Sequence, residues 1–326
     1  MASFIAWLVT LYVVWIRRSK EIFRNPDRLR KVMQETYLRP TSFAPPKKLG
    51  SNLVIIREDQ ASWPVYRVSK PRVIGKASPG PNGAMMYLHG GAFFREILGP
   101  HWSLIAHLCQ ETGLDIIVPI YPLLPRPGSD AKSVIDHALD IAVGQESPIQ
   151  CIAGDSAGGT LALALAQQCL KRKDESKYAR LARDLRCVVL LSPWLDITAT
   201  HPELEVLDKD DPWLGIPGAK VLGKIYAGEL ALDDPIVSPL FGDIDNLPPL
   251  LLFGGTRDIL CSDARRLSAK YQGKGVTKGE PGSFESERFT FVEGKDMIHV
   301  WPMLPSSEGK RDKAKMVSFI NKQIAG

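Results

Sequence analysis

Cysteine, histidine, glycosylation signals and net charge are all sparse in this chain, and each shortage narrows what it can be. The five cysteines, Cys109, Cys151, Cys169, Cys187 and Cys261, are odd in number, lack metal-ligand spacing and fall mostly in apolar stretches. They read as buried thiols, which argues against a disulfide framework and a thiolate metal site. No Asn-x-Ser/Thr triplet occurs, so the sequence gives a lumenal location no support. A net charge of +5 is small over 326 residues, and the basic clusters Lys171-Arg172-Lys173, Arg265-Arg266 and Lys310-Arg311 are scattered. They read as solvated helix ends, so nucleic acid is not an expected partner. No internal repeat or extended low-complexity segment is present. With 44% hydrophobic and 24% charged residues, the chain can bury a substantial core as one enzyme-sized unit.

Periodicity sets the organisation. Strand-like runs at Leu53 to Ile56, Val65 to Val68, Ala84 to Leu88, Asp115 to Val118, Ile149 to Ala153, Val188 to Leu191, Leu250 to Phe253 and Arg288 to Val292 give eight candidates. Helical patterns near 101–112, 130–144, 158–173, 262–272 and 309–324 separate the later ones. That alternation predicts an α/β fold with an eight-stranded, mostly parallel sheet covered by helices on both faces. Asp196 to Ala231, with Pro202, Pro212 and Pro217, breaks the rhythm and is expected over the active site, and Gly273 to Glu287 reads as a mobile polar loop. The pairs Asp210-Asp211 and Asp233-Asp234 are each followed by proline and read as turns, so no metal and no cofactor is expected.

The most informative segment is Gly154-Asp155-Ser156-Ala157-Gly158-Gly159, between the apolar run Ile149 to Ala153 and the helix-forming Thr160 to Ala166. Strand, glycine-flanked serine and helix in that order form a nucleophile elbow, whose sharp turn lifts the serine hydroxyl above the sheet. Upstream, His89-Gly90-Gly91-Ala92 ends the apolar segment Ala84 to Leu88. Backbone N–H groups of such a loop, with that of the residue after the nucleophile, can hold an oxyanion. Gly90, Gly91 and Ala157 are therefore the expected donors, and His89 is read as shaping the loop through a local hydrogen bond in preference to acting as a base. Of six histidines only His201 and His299 follow Ser156, as the chain order of this architecture requires. His201 lies in a polar loop and reads as solvated, whereas His299 follows a late strand and is the expected base. Asp258, one loop beyond the strand Leu250 to Phe253, is the expected acid, with Asp263 and Asp296 as rivals.

These segments, with Ser192-Pro193-Trp194-Leu195-Asp196 and Asp234-Pro235-Ile236-Val237-Ser238-Pro239-Leu240, resemble the hormone-sensitive-lipase-like branch of the α/β-hydrolase fold over about residues 85–305. His101 to Ala106 and Val118 to Leu123 are closer to its fungal steryl-acetyl-hydrolase-like members. The resemblance implies a metal-free serine carboxylesterase acting on a small-molecule ester, with acetyl the first choice of acyl group and a lipophilic alcohol such as a sterol or secondary metabolite. It also implies a lid built from the N-terminal segment, residues 1–50, and from an insertion at about 196–231 in a catalytic domain spanning 51–326. Two departures stand out: Ala92 replaces the third glycine of the oxyanion loop, and Tyr121-Pro122-Leu123-Leu124-Pro125-Arg126 lacks the arginine and glutamate that normally brace this region. An acyltransferase or cyclase using the same triad, and a non-catalytic receptor on the same fold, are the alternatives; the intact triad argues against the receptor.

Ala2 to Ile16 carries no charge and is followed by Arg17-Arg18-Ser19-Lys20. A helix of that length spans ~22 Å against a hydrocarbon core of ~30 Å. It reads either as a membrane-associating segment, with Trp7, Tyr12 and Trp15 at the interface, or as an apolar lid helix. An anchor followed by positive charge would leave the catalytic domain cytosolic, at the endoplasmic reticulum for example; a lid helix would leave the protein cytoplasmic. Phe93, Phe94, Trp194, Trp213 and Trp301 are candidates to line the substrate pocket. The oligomeric state is left open by the sequence.

Overall fold

The computed structural model describes residues 3–50, 52–60, 62–71, 83–276 and 279–325. Ala2 of the apolar segment and Thr277-Lys278 of the glycine-rich stretch lie outside them. In chain order the elements are helices α1 (Phe4–Tyr12), α2 (Ser19–Arg24) and α3 (Pro26–Leu38), then strands β1 (Val54–Gln60), β2 (Trp63–Ser69) and β3 (Ala84–Leu88). There follow α4 (Gly99–Thr112), β4 (Asp115–Pro119), α5 (Ala131–Val143), β5 (Ile149–Asp155), α6 (Ala157–Lys171), α7 (Ser176–Asp184) and β6 (Cys187–Leu191). The chain ends with α8 (Glu203–Leu207), α9 (Ile216–Ala227), β7 (Leu250–Arg257), α10 (Cys261–Tyr271), β8 (Phe284–Glu285), β9 (Phe289–Ile298) and α11 (Ser307–Ile324).

One sheet of nine strands runs in the order β1-β2-β4-β3-β5-β6-β7-β9-β8. The six strands from β4 to β9 in that order are mutually parallel, and β1, β2 and β8 are antiparallel additions at the edges. Period-two alternation divides the core. Met86 and Leu88 of β3 and Leu250 and Leu252 of β7 face the layer that holds α5, α6 and α10, while Met85, Tyr87, Leu251 and Phe253 face the layer of α4 and α11. The interior strands are buried on both sides, which is why they read as continuous apolar runs.

Several expectations need correction. The sheet has nine strands where eight were expected. The added one comes from the glycine-rich stretch, where Phe284 and Glu285 pair with Phe291 and Thr290. β1 continues through the charged residues Arg57, Glu58 and Asp59, because an edge strand exposed on both faces needs no alternation and Arg57 pairs with Asp59 along it. Two of the three prolines that break the rhythm after β6 start helices: Pro202 precedes α8, and Pro217 sits in the first turn of α9. Arg265 and Arg266 are not solvated. Both are buried, Arg265 on Glu203 and on Glu293 at 2.8 Å, and Arg266 on Asp196 at 2.6 Å. These pairs lock α10 to the insert between β6 and β7 through Glu203 and Asp196, and to β9 through Glu293. All five cysteines are free and buried, and burial raises the pKa of the Cys109 thiol to about 11.

The N-terminal helices pack on that insert. Gly215 and Gly218 lie against Phe23, where an added Cβ on Gly218 would crowd the Phe23 backbone. Lys20 Nζ donates to the carbonyls of Asp208 and, at 2.7 Å, Asp211. α1 is held to α11 by Ser3, whose N–H and hydroxyl donate to Glu308 at 2.6 and 2.7 Å. No helix among the described residues is long and apolar enough to cross a membrane.

Candidate active site

β5 runs into α6 through a turn at Ser156, whose backbone sits at φ 52° and ψ −121°. This is a strained conformation for a residue with a side chain, costing ~1–3 kcal/mol, and the surroundings must enforce it. Small neighbours do so. A Cβ on Gly154 would strike the Gly158 carbonyl, and one on Gly158 would strike the carbonyl of Leu88 in β3. The turn leaves Ser156 Oγ at the head of α6, 2.9 Å from Nε2 of His299. Nδ1 of His299 lies 2.8 Å from Oδ2 of Asp258, and Oδ1 of Asp258 accepts from the Leu260 N–H at 2.9 Å. The Asp258 carboxylate keeps the Nδ1 proton in place, which frees Nε2 to accept from the serine hydroxyl. Burial alone pushes the His299 pKa down, but the facing Asp258 carboxylate, helped by Asp211 and Asp155, more than offsets it and holds the ring above 6.5.

The two rival acids are elsewhere. Asp263 is in the first turn of α10 and accepts the N–H groups of Leu195 and Asp196, both at 2.9 Å. Burial, then the Asp196 carboxylate, raises its pKa to about 7, with Arg266 opposing. The Asp296 N–H donates to Thr256 Oγ1 at 2.8 Å. His201 is half-buried and bonded to Ser262 at 3.0 Å, so the expectation that it is solvated is corrected, though it remains away from Ser156. His89 is fully buried, donates from Nδ1 to the Gly90 carbonyl at 2.7 Å and stacks on Tyr121. Burial and then His101 push its pKa down to about 4, which keeps it neutral.

The oxyanion loop departs from expectation at one position. The Gly90 N–H already donates to Asp155 Oδ1 at 3.0 Å, so it is not available to an oxyanion. Gly91 and Ala92 line the cavity beside Ser156, and among the described residues their N–H groups and that of Ala157 meet no internal acceptor. Gly91 has φ 131° and abuts the Arg95 carbonyl, so glycine is required there, whereas Ala92 adopts φ 54° with its methyl half-buried. The candidate donors are therefore the N–H groups of Gly91 and Ala92 on the cavity wall and of Ala157 next to Ser156.

Asp155 ties this loop to the elbow. It also accepts from the Tyr87 hydroxyl at 2.7 Å and faces His101 Nε2 at 3.3 Å. His101 Nδ1 accepts from the Leu98 N–H, so the ring proton is on Nε2 and donates to the carboxylate. Burial pushes the Asp155 carboxyl up, but His101, Tyr87 and Gly90 together hold it below the ordinary range, and it is a carboxylate. Ser192 supports the base from below, its hydroxyl accepting from the Val300 N–H at 3.0 Å. The missing family charges are answered by a different pair: buried Glu96 on the cavity wall meets Arg126 at 3.5 Å.

Residues 85–302 match the family model described as the alpha/beta hydrolase fold. The chain belongs to that family, in its hormone-sensitive-lipase-like branch. The chain is similar to an esterase of Acinetobacter venetianus, 35% identical over 202 residues covering 60% of this chain and 63% of that one. It is also similar to an acetyl-hydrolase of Streptomyces hygroscopicus, 28% identical, covering 70% of this chain and 71% of that one. The match thus spans less than two thirds of the Acinetobacter relative. Among solved structures, an esterase/lipase from an uncultured bacterium shares the fold with a TM-score of 0.73 at 24% identity, covering all of both chains.

The cavity, about 120 Å³, is walled by the Gly91-Ala92 loop, Ser156 and His299, by Phe23 of α2, by Trp213 and Leu214 of the insert, and by Met303 and Leu304. Of the five aromatics expected to line it, only Trp213 does so, its ring edge-to-face with His299 at 5.7 Å between ring centres. Phe93 stacks on Tyr226 at 3.8 Å, Phe94 and Trp301 are buried in the core, and Trp194 donates to the Asp196 carbonyl. Packing claims large rings even next to a site, and a sequence does not say which ring escapes it.

Proposed function

We propose that this α/β-hydrolase is a serine carboxylesterase that removes a short acyl group, acetyl first, from a lipophilic alcohol. The observation that carries the reading is the unbroken chain from Asp258 through His299 to Ser156 Oγ, with both links under 3 Å. In this scheme His299 Nε2 takes the Ser156 proton as Oγ attacks the ester carbonyl, and the N–H groups of Gly91, Ala92 and Ala157 hold the oxyanion. Collapse returns the proton from His299 to the departing alcohol and leaves acyl-Ser156. A water deprotonated by the same nitrogen attacks the acyl carbon, and the acid leaves as Oγ is reprotonated.

Two observations support a short acyl group. The cavity at Ser156 is small, about 120 Å³. The Streptomyces relative is named an acetyl-hydrolase. The decisive test is hydrolysis of p-nitrophenyl acetate, butyrate, octanoate and palmitate by the full chain, with Ser156→Ala and His299→Ala alongside. Turnover is expected to favour the acetate and butyrate esters and to fall by at least about 10⁴-fold in either variant. Full activity in Ser156→Ala would sink the mechanism, and products esterified to an added acceptor alcohol would turn the reading to acyl transfer.

We also infer that α1 seats on a lipid surface. Its amphipathicity is inverted for a helix in water. The small residues Ala6 and Thr10 of α1, with Val13 of the π-helical turn Val13–Arg17 that continues it, face the protein, while Phe4, Trp7 and Tyr12 of α1 and Trp15 and Ile16 of the turn face outward. Trp15 is 72% exposed and Phe4 71%. Arg18, Arg24 and Arg28, which follow, are exposed and pair with Glu21 and Asp208, so the apolar face carries the docking. The full chain should sediment with phosphatidylserine-containing vesicles, and Trp7→Ser/Trp15→Ser should release it. Equal recovery of both proteins in the supernatant would refute the docking.

A further inference from the structure

A second buried carboxylate stands beside the triad, and neither the triad chemistry nor the oxyanion loop accounts for it. Asp211 is 3% exposed. Its Oδ1 accepts from the N–H groups of Trp213 at 2.6 Å and Leu214 at 2.9 Å, and its Oδ2 accepts from the N–H of Ile259 at 2.9 Å. Trp213 and Leu214 wall the cavity, and Ile259 is the residue after Asp258. One carboxylate thus joins the wall over the substrate to the loop that carries the triad acid. A third segment meets at the same residue, since the Asp211 carbonyl accepts from Lys20 of α2, whose neighbour Phe23 is also on the cavity wall.

We propose that Asp211 is a positioning residue of the hydrolase, holding the Trp213–Leu214 wall and the Asp258 loop in register and supplying a second negative charge to the His299 imidazole. The proposal rests on the esterase reading and adds a group to it. A turn aspartate would need only the bonds to Trp213 and Leu214; the bond to Ile259 crosses 48 residues of sequence to the triad loop. The electrostatics agree with the geometry. Burial, then the nearby Asp258 carboxylate, raises the Asp211 carboxyl to about 6, and Asp211 is among the charges that raise His299. The groups around it are Asp258 on the β7–α10 loop, His299 after β9, Lys20 on α2, and Asp208 and Asp210 on its own segment.

Asp211→Asn removes the charge and sets an amide N–H₂ against at least one backbone N–H, because the side chain then has a single acceptor oxygen for contacts on two sides. The experiment measures kcat/KM for p-nitrophenyl acetate from pH 5 to 9 and, over the same range, the rate at which a fluorophosphonate modifies Ser156. Wild type, Asp211→Asn and the exposed-site control Asp210→Asn are compared, each with a thermal melt. Asp211→Asn is expected to lower kcat/KM on the order of ten-fold at pH 8, the effect of losing one charge-assisted hydrogen bond. It should also move the acid limb of both profiles to lower pH, because a His299 that has lost a neighbouring negative charge deprotonates more readily. Asp210→Asn should match the wild type. A slower, less stable Asp211→Asn with an unmoved acid limb would make the residue merely structural and overturn the proposal, as would a variant indistinguishable from wild type. Wild-type protein that is phosphonylated at Ser156 but hydrolyses no ester would sink the esterase reading while the phosphonylation profiles still decide Asp211; protein not phosphonylated at all would overturn both.

Discussion

Replacing Asp155 by asparagine tests whether the oxyanion loop is held from the elbow. In the native protein one carboxylate serves three donors, the Tyr87 hydroxyl at 2.7 Å, the Gly90 N–H at 3.0 Å and His101 Nε2 at 3.3 Å. The tautomer of His101 is fixed from its far side by the Leu98 N–H, so its Nε2 can only donate. An asparagine oxygen can keep Tyr87 and Gly90, but its N–H₂ then faces the His101 N–H. The reversed amide keeps His101 and loses the other two. Either way at least one hydrogen bond to a buried charge disappears, which costs about 2–3 kcal/mol of stability. Loss of a whole oxyanion donor is worth roughly 2.7–4 kcal/mol of barrier, or 10²–10³ in rate. A loop that shifts without leaving should lose part of that, so kcat is expected to fall by about 10–100-fold. KM should change little, because the displaced donors of Gly91 and Ala92 act on the developing oxyanion and not on the bound ester. Denaturant unfolding followed by tryptophan fluorescence gives the first quantity, and steady-state hydrolysis of p-nitrophenyl acetate gives the second. Tyr87→Phe, which removes a single donor, should show a smaller loss in both. An Asp155→Asn protein with the native unfolding midpoint and native kcat would refute the anchoring argument.

The remaining predictions concern the base and the elbow. Because Asp258, Asp211 and Asp155 hold His299 above 6.5, and only the neutral ring can accept the serine proton, kcat/KM should rise with pH along a limb shifted above the ordinary histidine range; a limb centred below 6.5 would contradict the electrostatics. Raising the folded pKa of His299 also means that its ion pair stabilises the fold fully at pH below the unfolded value and that this contribution is lost as pH rises through the folded pKa, so thermal melts should show that part of the stability fading on the alkaline side. Gly158→Ala should destabilise the fold by ~3 kcal/mol or more, because the new methyl meets the backbone carbonyl of Leu88 and neither strand nor helix can yield; a soluble variant with a native melt would show that the elbow has more room than this.

Much of the site was legible because it is encoded locally. Ser156, Asp258 and His299 each follow a strong apolar run, and a strand that ends in a parallel sheet delivers its loop to one edge, so chain order and strand ends suffice to name them. The parallel strands and the five expected helices were legible for the same reason, with bounds within about two residues except that β7 and β9 run on to Arg257 and Ile298. What failed to show is whatever depends on two distant loops meeting. Gly90 looked like a donor to the oxyanion because its glycine motif is local, while the carboxylate that occupies its N–H lies 65 residues on. Ser192 reads as part of a Ser-Pro-Trp turn, and its bond to Val300, 108 residues away, follows only once β6, β7 and β9 lie side by side. Arg265 and Arg266 look like surface charge until Glu203, Glu293 and Asp196 arrive from three other segments. Some signals were present and went unused: Asn25-Pro26-Asp27 is a helix start, with the Asn25 side chain accepting from the Asp27 and Arg28 N–H groups at 3.1 and 3.0 Å, and it begins α3 where only an apolar segment was weighed. Asp211 belongs to the first kind. Its sequence neighbours explain it as a turn, and its partner across the fold gives it a place beside the triad. In an α/β-hydrolase the reacting groups are thus written at strand ends, whereas the groups that aim them are written in the strand order, which no single segment contains.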